Sequence, residues 1–184
     1  MEERQQLARY EELLRSWSAK INLVGPEALR NLDAHVAEAL EAAELLAPTG
    51  NVLDVGSGGG LPGVPIAIRF PEARLHFVEA DQRKWAFLKT VIRDCSLNAV
   101  ALGDRLNRVV ERLDPALEFT LVTSRAVGHP ESWLPFVRNR IGKGGRVALF
   151  EGNVAGHEIA GFTADRIFRL SRGDSNFLVT LRRL

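Results

Sequence analysis

Asn51 to Gly63 reads NVLDVGSGGGLPG, and its character changes part-way along. Val52, Leu53, Asp54 and Val55 form a short β-prone run, whereas five glycines among the next eight residues cannot continue it. A strand is therefore predicted to end at Gly56. From Leu61 to Arg69 apolar residues stand at 61, 64, 66, 67 and 68, with Pro62 and Pro65 near the start, where a missing N–H costs a helix least. The reading is strand, glycine turn, helix. A turn without side chains lets a ligand approach the backbone, and the first N–H groups of the helix have no intrahelical acceptor.

Gly58, Gly60 and Gly63 also satisfy the dinucleotide pattern G-x-G-x-x-G, so the glycines alone do not decide the ligand. Two acids do more. Asp54 immediately precedes Val55-Gly56, where a carboxylate repels a pyrophosphate but suits a cationic or water-linked group. Glu79 ends the next predicted strand, Arg74 to Val78, about where a ribose-binding acid is expected in a nucleotide-binding α/β unit. Acids at both strand ends fit a positively charged nucleoside without phosphates, which is the chemistry of S-adenosylmethionine. A nicotinamide oxidoreductase fits less well, because no hydride-transfer partner is visible.

The 184 residues suffice for one full core, and 46% apolar with 26% charged residues is ordinary for a globular chain. The formal charge of +1 is unevenly spread: residues 1–48 hold five basic and nine acidic side chains, leaving the basic excess to the rest. Residues 49–184 are thus the portion suited to a polyanion. Cys95 is the single cysteine, which excludes an intramolecular disulfide and a Cys-rich metal framework. His35, His76, His129 and His157 are scattered, so no metal site is expected. The acidic, amphipathic start and the lack of any 18-residue apolar run predict neither signal peptide nor membrane span, with a reducing cytoplasm as the expected location.

Leu7, Tyr10, Leu13, Leu14 and Trp17 recur at helical spacing, and Gly25-Pro26 breaks that element. A second helix is predicted from about Pro26 to Leu46, with Leu29, Leu32, Val36, Leu40, Ala43 and Leu46 inward. After Glu79 the pattern predicts a helix over Asp81 to Cys95, a strand over Ala99 to Leu102 and a helix over Asn107 to Leu113. A strand over Phe119 to Thr123 follows, ending at Ser124-Arg125-Ala126. A helix over Pro130 to Ile141, a turn over Gly142 to Gly145 and a strand over Arg146 to Phe150 come next. Arg166 to Leu170 and Phe177 to Leu181 are strand-like, and the short Ser171 to Ser175 link makes them an antiparallel hairpin. The expected fold is α/β: a mostly parallel sheet of about seven strands with one antiparallel strand at the edge, preceded by two N-terminal helices. One domain spans 1–184, as a helical cap over 1–48 and a Rossmann-like core over 49–184.

This order resembles the Rossmann-like class I methyltransferases. Read together, LDVGSGGGLPGVPIAIRFPEA, VEADQRKWAFL and VTSRA resemble the RsmG (GidB) family, which methylates N7 of a guanine in bacterial 16S ribosomal RNA. Trp17 to Gly25, WSAKINLVG, resembles that family's W-N-x-x-x-N-L-T element, and the run from Gly56 to Pro65 matches its G-x-G-x-G-L-P-G-(I/V)-P signature. The resemblance implies S-adenosylmethionine as methyl donor and 16S rRNA or the small ribosomal subunit as partner, with no obligate protein partner evident. It carries donor contacts onto Gly56, Leu61 and Glu79, and the adenine edge onto Val109 and Val110. Arg125 matches the arginine of the S-R-A motif, and Arg108 matches another arginine facing the same cleft. With Asp54 and Gly58 of the turn, these are the candidate site residues. Two places depart from the family. Its H-x-x-D-S motif leaves only His35, and an arginine common before the last strand is replaced at Asn176.

Guanine N7 carries a lone pair and no proton to remove, so no general base is assigned. Arg108 and Arg125 are the candidates for orienting the base, as planar donors able to face an RNA purine beside phosphates. Replacing Arg125 by alanine is expected to remove turnover and leave folding intact. Arg83 with Lys84, and the group Arg138, Arg140, Lys143 and Arg146, are candidate phosphate contacts. A methyltransferase acting on another RNA or a small molecule, or a member that binds donor or RNA without turnover, remain alternatives.

Overall fold

Seven β-strands form one sheet in the computed structural model, which describes residues 1–125, 127–151, 159, 161–171 and 177–184. They are β1 (Asn51–Val55), β2 (Arg74–Val78), β3 (Ala99–Leu102), β4 (Phe119–Arg125), β5 (Ile141–Glu151), β6 (Phe162–Arg169) and β7 (Phe177–Arg183). Their spatial order is β3-β2-β1-β4-β5-β7-β6. The first five are parallel, and β7 runs antiparallel between β5 and the outermost strand, β6. The mostly parallel sheet with an antiparallel strand at one side is therefore present as expected. The order reverses between β1 and β4, so their carboxyl ends open a crevice at Val55 and Ser124, which lie in register.

The helices are α1 (Glu3–Ser18), α2 (Pro26–Arg30), α3 (Leu32–Leu46), α4 (Gly63–Arg69), α5 (Gln82–Asp94), α6 (Leu106–Arg112) and α7 (Pro130–Val137). They cover both sheet faces, as parallel strands require. Alternation along β1 divides the core: Val52 packs with Tyr10, Leu14, Leu46 and Val64, while Leu53 and Val55 pack with Val109, Val122 and Trp133. Among the described residues no helix is long and apolar enough to cross a membrane.

The strand expected from Arg166 starts four residues earlier, at Phe162, as β6, and three other boundaries differ from expectation. The helix expected over Pro26–Leu46 breaks at Asn31, whose backbone leaves helical angles (φ −103°, ψ 28°). Asparagine is weak inside a helix and at home at its ends, so α2 stops and α3 starts there, giving three helices before the sheet rather than two. The helix expected to reach Ile141 ends as α7 at Val137 and passes through a 3-10 turn, Arg138–Arg140. Gly142 to Gly145, expected as a connecting turn, form an excursion inside β5: Ile141 pairs with Phe119 and Arg146 with Leu121. Asn176, His157, Ala126 and most of the Ser171 to Ser175 link lie outside the described residues.

Two cations of the expected basic group serve helix ends instead. Arg140 donates to the carbonyls of Val110, Leu113 and Asp114 at the end of α6, and Arg146 donates to Leu46 at the end of α3. Carbonyls there have no intrahelical donor, and a cation also suits the negative end of the helix dipole.

Candidate active site

Where β1 ends, Gly56 takes φ +67°, and a Cβ built on it would lie 2.3 Å from Val127 Cγ2. A side chain is thus excluded by conformation and by space. The turn is fixed below by Gly56 and Ser57 N–H groups, which donate to the Val78 carbonyl at 2.9 and 3.1 Å. From above, the buried Tyr10 hydroxyl of α1 donates to the Gly59 carbonyl at 2.8 Å. A Cβ on Gly59 would stand 2.9 Å from Val24 Cγ1. The N-terminal helices therefore clamp the glycine turn. Tyr10→Phe keeps the ring but removes this bond, and is expected to lower stability by about 1 kcal/mol. An unshifted urea midpoint would show that the clamp contributes nothing.

Between turn and helices lies a cavity of about 340 Å³. Gly56, Gly58, Leu61, Glu79 and Arg125 of the candidate residues line it, together with Leu23, Val24, His35, Lys84 and Val127. Glu79 is half-buried and held by two backbone donors: Gly58 N–H on Oε2 at 2.9 Å and Asp81 N–H on Oε1 at 2.8 Å. The acid is thereby presented at a set place between the turn and the start of α5. Asp81 in turn caps α5, accepting from Arg83 and Lys84 N–H groups, which hold its carboxyl below the usual carboxylate range.

Asp54 is placed differently from the sequence expectation. It is 1% exposed and does not line the cavity. Its Oδ1 accepts from Thr123 Oγ1 at 2.7 Å, while Oδ2 has no hydrogen-bond partner. A Cβ on Gly63 would lie 2.8 Å from that oxygen, so the carboxyl fills space under the start of α4. Burial pushes its pKa up to about 6, against the lowering effect of the bond from Thr123. The folded state then holds its proton more tightly than the unfolded state, so this group's contribution falls as pH rises from about 4 to 6. The gap spans roughly two pH units, a penalty of about 3 kcal/mol above pH 6. Asp54→Asn cannot ionise, so its stability relative to wild type is expected to improve by about that amount between pH 4 and 7. Parallel pH dependence of the two unfolding curves would refute this.

Arg125 ends β4 beside the turn. Its Nη2 donates to Glu38 Oε2 at 3.0 Å and lies 2.8 Å from His35 Nδ1, both on α3. Its guanidinium also sits 5.8 Å from the centre of the Phe150 ring. Glu38 was missed in the sequence, although its i, i+3 spacing from His35 sets both on one helix face. Glu38 stands where the family motif has aspartate, so histidine and acid are both kept.

Besides Asp54, three candidates are not brought to the cavity. Arg108 is on α6 with its side chain 67% exposed, 3.8 Å from Asp104. Val109 is buried in the core on the α6 side of the sheet, and Val110 packs partly buried against the same cluster. In a helix of about two turns, three successive residues cannot all face one side.

The family model described as rRNA small subunit methyltransferase G, GidB, matches residues 3–180. The chain belongs to the GidB family. Its relatives include the ribosomal RNA small subunit methyltransferase G of Paracoccus denitrificans, 34% identical over 176 residues, covering 94% of this chain and 89% of the other. That of Chlorobaculum tepidum is 35% identical over 158 residues, covering 84% of this GidB chain and 70% of its relative. The fold is shared with a mutant of MtNAS in complex with S-adenosylmethionine (TM-score 0.68, 15% identity, 92% of this chain and 72% of that one). An rRNA methylase from Streptococcus thermophilus has it too (TM-score 0.57, 17% identity, 82% and 96%).

Proposed function

We propose that this GidB-family chain, acting as one unit over 1–184 in the cytoplasm, transfers the methyl group of S-adenosylmethionine to N7 of a guanine in 16S ribosomal RNA. The observation that carries the reading is the pairing, in one cavity at the sheet's switch point, of a backbone-held carboxylate, Glu79, with an arginine, Arg125. Family membership supports the reaction class and the RNA.

The cavity fits the methyl donor by its chemistry. Glu79 presents carboxylate oxygens suited to ribose hydroxyls, Gly56 and Gly58 leave the backbone open, and Leu61 and Val127 supply apolar wall. Asp54 adds negative charge from beneath the turn, in keeping with a cationic ligand. S-adenosylmethionine supplies, when bound, a methyl carbon activated by its positive sulfur. Everything else asked of the protein is alignment, because N7 attacks with a lone pair and needs no base.

Arg125 is assigned the orientation of the base. Lys84 on the cavity wall and the exposed Arg83 beside it are assigned phosphate contacts, which suits the basic excess of residues 49–184. Arg108, off the cavity on α6, is given a phosphate contact in place of base orientation, and Val109 and Val110 are not retained as donor contacts.

The test is incubation with labelled methyl donor and 30S particles, free 16S rRNA or tRNA from cells lacking the enzyme, followed by mapping of modified nucleosides. Label recovered as 7-methylguanosine in 16S rRNA is the expected result. Label on another atom, or only in tRNA, would overturn the assignment.

A further inference from the structure

Glu38 is 3% exposed and His35 7%, yet both direct polar atoms at the same nitrogen of Arg125. Nη1, the other terminal nitrogen, is shielded from solvent and has no hydrogen-bond partner. Burying an ion pair is expensive and seldom improves on apolar packing, so its presence at a cavity wall calls for a purpose beyond stability. An idle charged donor adds to that cost.

We propose that His35 and Glu38 are positioning residues for Arg125, and that the three together select a base with a carbonyl oxygen beside the nitrogen to be methylated. The proposal rests on the guanine-N7 reading above. Arginine ordinarily recognises guanine with two parallel donors, one on O6 and one on N7. That arrangement would occupy the lone pair that has to attack the methyl carbon. Tying Nη2 to α3 removes one prong of the fork, and Nη1, covered until the base enters, is the donor left for O6, with N7 free. Adenine presents an amino group at the same place, a donor facing a donor, and is rejected. The acid three residues after the histidine matters because one helix face then delivers both grips.

Single-turnover methylation of the guanine-bearing RNA, with donor affinity measured by calorimetry, tests this. Glu38→Gln is expected to lower the rate by about 100-fold, the scale of a misplaced catalytic group, with donor Kd within about twofold of wild type. Glu38→Asp restores the charge at the family's own residue type and should recover the rate to within about tenfold. Should Glu38→Gln fail to fold, the double variant Arg125→Gln with Glu38→Gln, which removes both charges, is expected to melt near wild type and still lack activity. Recovered activity there, or a folded Glu38→Gln with a wild-type rate, would overturn the proposal. RNA with 2-aminopurine at the mapped guanine, lacking O6, should react at least about 100-fold more slowly than guanine RNA. Equal rates would overturn the selection. Failure of the wild-type chain to methylate any RNA would instead sink the reading of the reaction, and this proposal with it.

Discussion

Arg125→Ala is expected to reduce single-turnover methylation by about 100- to 1000-fold, the usual scale for removing a preorganised donor from a reacting centre. The substitution will also destabilise the protein. Glu38 would be left buried beside a neutral side chain, and stripping one partner from a buried pair costs about 3 kcal/mol or more. From the sequence this change looked harmless to folding. The contact with α3 adds a loss that a urea titration will register as a lower midpoint. Donor affinity of the folded fraction should stay near wild type, because Glu79 and the glycine turn are untouched. An Arg125→Ala protein that methylates at the wild-type rate would remove Arg125 from the mechanism.

The second large effect is expected at Glu79. Its two oxygens satisfy Gly58 and Asp81 N–H groups, so Glu79→Ala removes the proposed ribose acceptor and releases both ends of the segment that frames the cavity. Hydrogen bonds to a charged group are worth about 1.5–3 kcal/mol each, so losing one to the ligand and loosening the turn should weaken S-adenosylmethionine binding by at least about 100-fold. Glu79→Gln keeps one acceptor oxygen and should fall between wild type and alanine. Calorimetry showing an alanine variant within threefold of wild type would mean that the donor sits elsewhere.

What the sequence disclosed and what it hid divide by distance along the chain. The strand, turn and helix from Asn51 to Arg69 were legible because each depends on near neighbours: β-branched residues, then glycines, then an apolar stripe after proline. Glu79 was legible by position, one strand further on. The partner of Arg125 was not, since Glu38 lies 87 residues earlier and offers only a helical spacing from His35. Tyr10 looked like any other member of an apolar stripe, and its hydroxyl finds Gly59 only when α1 folds over the turn. Asp54 misled because its place in the sequence is beside the ligand turn, whereas strand alternation points its side chain under α4. Arg140 and Arg146 read as phosphate contacts, although the carbonyls they satisfy end helices 30 and 100 residues earlier in the chain.

The clamp on the glycine turn has a dynamic corollary. Tyr10 and Val24 press on the same few residues that frame the ligand, so local opening of α1 and occupancy of the cavity oppose each other. Amide protons of α1, remote from any ligand atom, should therefore exchange with deuterium more slowly as the methyl donor saturates the protein.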